Sequence, residues 1–118
     1  MRCNLNSLEL SRAIVNILEE KKGENILLLD IREQAIFADY FVICSGTSDR
    51  MLKALQDAVS EEVKEKFQVK ARLEGNSGDG WVLADFGDVI VHFFSPQKRS
   101  FYRLEELWSQ AKVLIRLQ

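Results

Sequence analysis

The stretch Trp81–Phe94, WVLADFGDVIVHFF, constrains this chain more than any other. Two strand-like runs, 81–86 and 89–94, flank Gly87-Asp88, a two-residue connection of the kind that reverses an antiparallel pair. Pairing Phe86 with Val89 gives the hairpin two unlike faces, because side chains alternate along a strand. One face carries Val82, Ala84, Phe86, Val89, Val91 and Phe93, a wholly apolar set that belongs to a core. The other carries Trp81, Leu83, Asp85, Ile90, His92 and Phe94. That second set is too apolar for a free solvent face and too polar for a second core. A face of this kind lies under a helix or binds a partner.

The rest of the chain alternates helices and strands. Apolar residues at 10, 14, 17 and 18, widened by Ala13, predict a helix over 7–22 with Asn6 and Glu9 as a capping box and Gly23 as its stop. The continuous run Ile26–Leu29 predicts a buried strand over 25–31, and a second strand follows over 40–44. Ser45-Gly46-Thr47-Ser48 then turns the chain into a helix over 49–67, with a stripe of Leu52, Leu55, Val59, Val63 and Phe67. A third strand is expected over 68–73, a mobile Gly/Asn/Ser loop over 75–80, and a last helix over 100–112. The order α-β-β-α-β-β-β-α predicts a single α/β domain over 1–118, a mixed sheet of about five strands packed by helices. The strand, SGTS turn, helix and following strand fit a right-handed crossover.

Length and charge exclude several classes. A chain of 118 residues fits one domain. No apolar run approaches the roughly 20 residues of a membrane-spanning helix, and the N-terminus has no apolar signal segment, so a cytoplasmic protein is expected. Sixteen basic against eighteen acidic residues give a net charge of −2. Phosphate-driven binding of nucleic acid needs a clustered positive surface, so little direct binding is expected and a basic protein is the more natural partner. Two cysteines, Cys3 and Cys44, and one histidine offer neither a disulfide framework nor a zinc site.

EGNSGDGWVLADFGDVIVHFF with RSFYRLEELW, and ADYFVICSGTSDR upstream, resemble the ribosomal silencing factor (RsfS/Iojap) family. The matching blocks run in order from the first strand to the last helix. The resemblance implies a non-enzymatic factor that binds ribosomal protein uL14 on the large subunit. There it blocks joining with the small subunit, repressing translation under nutrient limitation, or assists large-subunit biogenesis. It implies a fold related to the nucleotidyltransferases without their catalytic site, no cofactor, and a homodimer when free. The unit Trp81-x-x-x-Asp85-x-Gly87-Asp88 resembles the family's binding surface, and Arg99, Tyr102, Leu104-Glu105 and Leu107-Trp108 match its last-helix pattern. The partner-binding set it suggests is Trp81, Leu83, Asp85, Gly87, Asp88, His92 and Tyr102.

Each candidate has a plainer reading. The turn Ser45, Gly46, Thr47, Ser48 could hold an anion at a helix N-terminus, as in nucleotidyltransferases; as a cap it needs only Ser48 or Thr47. Asp85 and Asp88 could serve a metal-dependent nucleotidyltransferase-like enzyme, yet their spacing departs from the Asp-x-Asp that puts two carboxylates on one strand face. Asp88 suits a turn position. His92 has no second histidine and no Gly-x-Ser-x-Gly elbow to work with, and reads as a hydrogen-bonded, partly buried side chain. Cys44 reads as a buried small hydrophobe rather than a thiolate. Trp81 is either an interface anchor, as tryptophan often is, or a side chain buried under the last helix. The apolar tail 111–118 either continues that helix or supports self-association.

Overall fold

The computed structural model describes residues 6–102 and 110–117, with the side chains of 101 and 102 left aside. Helix α1 spans Ser7–Glu20. Asn6 caps it, its Oδ1 accepting from the Leu8 N–H at 2.7 Å. Its far end closes with Lys22 N–H donating to the Glu19 carbonyl and Gly23 N–H to the Leu18 carbonyl. The left-handed residue of that motif is Lys22, at φ 70, not the expected glycine. Gly23 has a different reason to be there: a Cβ would sit 2.5 Å from the Cys44 sulfur.

Strands β1 (Glu24–Asp30) and β2 (Tyr40–Ser45) follow, then helix α2 over Asp49–Phe67 as the periodicity predicts. Strand β3 is Arg72–Asn76, β4 is Trp81–Asp85, β5 is Val89–Phe94, α3 is Pro96–Tyr102 and β6 is Lys112–Leu117. Among the described residues the strands form one six-stranded sheet in the order β3-β4-β5-β2-β1-β6. The β2–β5 pair is parallel and its neighbours on both sides are antiparallel. The fold class is thus the α/β mixed sheet packed by helices that the sequence predicts, with one strand more.

The hairpin register is the expected one. Phe86 N–H donates to the Val89 carbonyl at 2.9 Å, and Trp81, Leu83 and Asp85 pair with Phe94, His92 and Ile90. Gly87 sits at φ 93, which a side chain would oppose, at the first corner of the turn. The alternating face of β4 and β5 joins α1, α2 and the inward residues of β1 and β2 in the main core, which includes Leu18, Leu52, Val59, Val82 and Phe93. Because β1 and β2 are central, their other faces are buried too. Leu27, Leu29, Phe41, Ile43 and Phe94 form a second, smaller core on the opposite side.

Three expectations are corrected. The third strand lies four residues later than expected: Gln68 closes α2 at φ 56, and pairing begins only at Arg72. Gly75 and Asn76, read as loop, pair with Val82 and Trp81, and only Ser77–Asp79 makes a tight turn. The crossover through α2 is kept, since β3 runs parallel to β2, but it spans β4 and β5 to reach the far edge of the sheet. Last, the C-terminal run is neither helix nor free tail. Helix α3 begins at Pro96, residues 103–109 lie outside the described residues, and Lys112–Leu117 pairs antiparallel with β1. Leu114, Ile115 and Leu117 are half-buried against the main core, and Val113 is exposed.

Candidate functional site

The second face of the hairpin gathers aromatic side chains at one end. Trp81, half-buried on β4, stacks on Phe94 of β5 with ring centroids 5.3 Å apart and planes 21° off parallel. Its Nε1–H donates to Nδ1 of His92 at 3.3 Å. His92 in turn meets the edge of Phe41 on β2 at 4.8 Å. These contacts follow from strand pairing. Trp81 and Phe94 are directly opposite, His92 lies opposite Leu83, and diagonal neighbours in a sheet are within reach of long side chains.

His92 is only 6% exposed, and burial pushes its imidazolium pKa down to about 4. It is therefore neutral at physiological pH. A tryptophan N–H can only donate, so Nδ1 is the accepting nitrogen and the proton sits on Nε2. Nε2 is buried without a hydrogen-bond partner among the described residues. His92 thus supports Trp81 from beneath rather than offering a contact of its own.

Two clefts open beside the indole. One, of about 150 Å³, is lined by Glu74, Gly75, Trp81, Val82 and Leu83. The other, of about 320 Å³, is lined by Gly75, Asn76, Asp79, Trp81 and Lys98. Glu74 and Asp79 against Lys98 leave the charged lining of the clefts net acidic. The sequence reading missed Glu74, Gly75, Asp79 and Lys98 as neighbours of Trp81. Only the β3–β4 pairing brings the first two there, and no local signal announces it.

The remaining predicted residues divide. Leu83 and Asp85 continue from Trp81 along the same face and are half-buried. Gly87 and Asp88 occupy the turn at the opposite end of β4, roughly 20 Å from Trp81 at 3.3 Å per residue. Asp85 Oδ1 accepts from the Gly87 N–H at 2.8 Å, and the Asp88 carbonyl accepts from the N–H groups of Asp39 and Tyr40. These bonds hold the turn and join it to β2. The Asp85 carboxylate is engaged by the turn, and among the described residues no three His, Cys, Asp or Glu side chains converge as a metal site would require. Tyr102 closes α3, and its side chain lies outside the described residues.

The SGTS turn is occupied by the fold. Ser45 Oγ accepts from the Arg99 guanidinium at 2.9 Å, and Gly46 N–H donates to the Phe94 carbonyl at 3.0 Å. Thr47 N–H points at the Met51 sulfur, and Ser48 Oγ caps α2 by accepting from Met51 N–H at 3.1 Å. Cys44 is buried, and desolvation pushes its thiol up to about 12.

The sheet order, the aromatic cluster and the hairpin motif can now be set against known proteins. The family profile described as "Ribosomal silencing factor during starvation" matches residues 4–118. The chain belongs to the ribosomal silencing factor family. It is 38% identical over 108 residues to the ribosomal silencing factor RsfS of Bacillus subtilis, covering 91% of each chain. With that of Halalkalibacterium halodurans it shares 36% identity over 107 residues, covering 91% of this chain and 92% of the other. A crystal structure of a Chromobacterium violaceum protein superposes with a TM-score of 0.84 at 34% identity, covering 89% of this chain and 88% of that one. Ribosomal silencing factors are ribosome-associated regulatory proteins rather than a family of enzymes, and membership supports a ribosomal silencing role here. Among the described residues no helix is long and apolar enough to cross a membrane.

Proposed function

We propose that this chain silences translation sterically. It binds ribosomal protein uL14 on the large ribosomal subunit through the β4–β5 face centred on Trp81, and its bulk then prevents the small subunit from docking. The observation that carries this reading is Trp81 itself. It is a half-buried indole, oriented by His92 and flanked by two clefts whose charged lining residues are Glu74, Asp79 and Lys98. Such an aromatic anchor with a polar surround is the usual energetic centre of an interface. The net acidic lining suits a basic ribosomal protein, and the chain's net charge of −2 argues against grip on the rRNA phosphates. Blocking by bulk needs no cofactor and no reacting group, so the structural work done by Asp85, Asp88 and the SGTS turn is no obstacle to it. The chain acts where ribosomes join, in the cytoplasm, and free copies self-associate.

Binding is tested by co-sedimentation with purified large subunits and by calorimetry with isolated uL14. Saturable, equimolar binding to both, lost in Trp81→Ala, is the expected result. Binding to the subunit with none to isolated uL14 assigns the contact to another component.

A further inference from the structure

The β3–β4 ladder sets two rows of side chains on the face that carries Trp81. Residues directly opposite in a ladder share a face, so Asn76 stands beside Trp81, Glu74 beside Leu83 and Arg72 beside Asp85. Glu74 lines the cleft of about 150 Å³ together with Trp81 and Leu83, and is its only charged lining residue among those described. The neighbouring cleft sets Asp79 against Lys98. A cation approaching the indole therefore meets a carboxylate on the β3 side and a charge-balanced lining on the other.

The Glu74 carboxylate already holds a guanidinium. Arg72 Nε donates to Glu74 Oε2 at 3.1 Å. The two side chains are 77% and 49% exposed, so the pair is solvated and contributes little. Arg72 and Glu74 point the same way from one strand, two residues apart, and their contact needs nothing beyond the strand itself. A pair of this kind opens readily, and each opening leaves an acid beside the indole.

We propose that Glu74 receives a basic side chain of the ribosomal partner, and that Arg72 occupies the carboxylate until the partner arrives. This deepens the reading of the Trp81 face as the partner-binding surface, and rests on it. The aliphatic stem of a lysine or arginine suits the walls made by Trp81 and Leu83, while its head group pairs with Glu74. The indole itself attracts a cation. Once the partner covers the cleft and excludes water, the new pair is stronger than the solvated one with Arg72. Arg72 is thus an internal competitor, and the need to displace it selects partners that bring a positive charge to this point.

Calorimetry with purified large subunits, using the full chain, the two single variants and their combination, is the test. Glu74→Gln keeps the side-chain length and should weaken binding about fivefold. Arg72→Gln removes the competitor and should tighten binding about twofold or more. Both variants should melt with the wild type, since the two side chains are exposed on an edge strand. Arg72→Gln also removes a positive charge, and the double variant separates the two causes. In the Glu74→Gln background the Arg72→Gln change should have no effect. A gain that persists there is long-range attraction and overturns Arg72 as the competitor. Binding indifferent to Glu74→Gln overturns the Glu74 site while the Trp81 face stands. A wild type that does not bind large subunits, or that Trp81→Ala matches, overturns the underlying reading and the Glu74 site with it.

Discussion

The indole N–H of Trp81 points at Nδ1 of His92 across the β4–β5 ladder, 3.3 Å away, and the buried Nε2 of that imidazole has no hydrogen-bond partner among the described residues. This pairing fixes the ring plane of the residue at the centre of the proposed partner-binding face, and it separates two contributions of Trp81. Trp81→Ala removes the anchor and is expected to weaken partner binding by about 2 kcal/mol or more, roughly 30-fold. Trp81→Phe keeps an aromatic ring against Phe94 but leaves Nδ1 without its donor, and should cost about 1 kcal/mol of stability. Calorimetry against large subunits together with urea melts distinguishes the two. Equal binding by Trp81→Ala and wild type would place the anchor elsewhere.

His92 also predicts a pH dependence. Its imidazolium is disfavoured by burial, with a folded pKa of about 4 against an ordinary 6.5. Between these values the unfolded chain binds the proton and the folded chain does not. Stability is therefore greatest above pH 6.5, falls as pH is lowered through the window, and levels off near 4. The loss attached to this group is on the order of 3 kcal/mol. Asp30 acts in a lower window: its hydrogen bond from Arg32 holds the carboxyl below its usual value, so that contribution disappears only in stronger acid. Urea melts at pH 7.5, 6 and 5 should show a slope that His92→Gln flattens. The same slope in both proteins would remove His92 from the account.

Asp85 is half-buried and accepts a hydrogen bond from the Gly87 N–H at 2.8 Å. Asp85→Asn preserves an acceptor for that bond while removing the charge. Its melting should match the wild type to within about 0.5 kcal/mol, while association with the basic partner slows and loses part of its salt dependence. Stopped-flow binding at two ionic strengths reads this directly. An unchanged association rate and salt slope would mean that Asp85 serves only the turn.

Gly23 is required by close approach. A methyl group there meets the Cys44 sulfur at 2.5 Å, so Gly23→Ala should destabilise by about 1–3 kcal/mol. Adding Cys44→Ala should recover part of that loss, since the obstructing atom is gone. Additive losses in the double variant would show that the contact is not the cause.

The parts of the fold visible in the sequence are those in which neighbours along the chain are also neighbours in space. The hairpin register followed from alternation around Gly87-Asp88, and α2 was bounded correctly by Ser48 and by its stripe ending at Phe67. The misjudged parts depend on distant pairing. Gly75 and Asn76 have turn-forming chemistry, yet β4 recruits them into an edge strand opposite Val82 and Trp81. Val113, Leu114 and Ile115 have no alternation to identify them as a strand; they pair with β1, more than eighty residues upstream. Residue type and face leave Trp81 either an anchor or a buried side chain, and the clefts beside it need β3 in place. Gly87 and Asp88 are grouped with Trp81 by the family resemblance, and the extended strand places them at the far end of β4 from it.

The central claim is steric silencing at the large subunit, and subunit joining tests it most directly. Purified large and small subunits are mixed under joining conditions with increasing amounts of the chain and resolved by sucrose-gradient sedimentation. The account predicts that joined ribosomes decline in step with occupancy of the large subunit, and that Trp81→Ala shifts this decline to at least about 30-fold higher protein. Unchanged joining at full occupancy of the large subunit would contradict it.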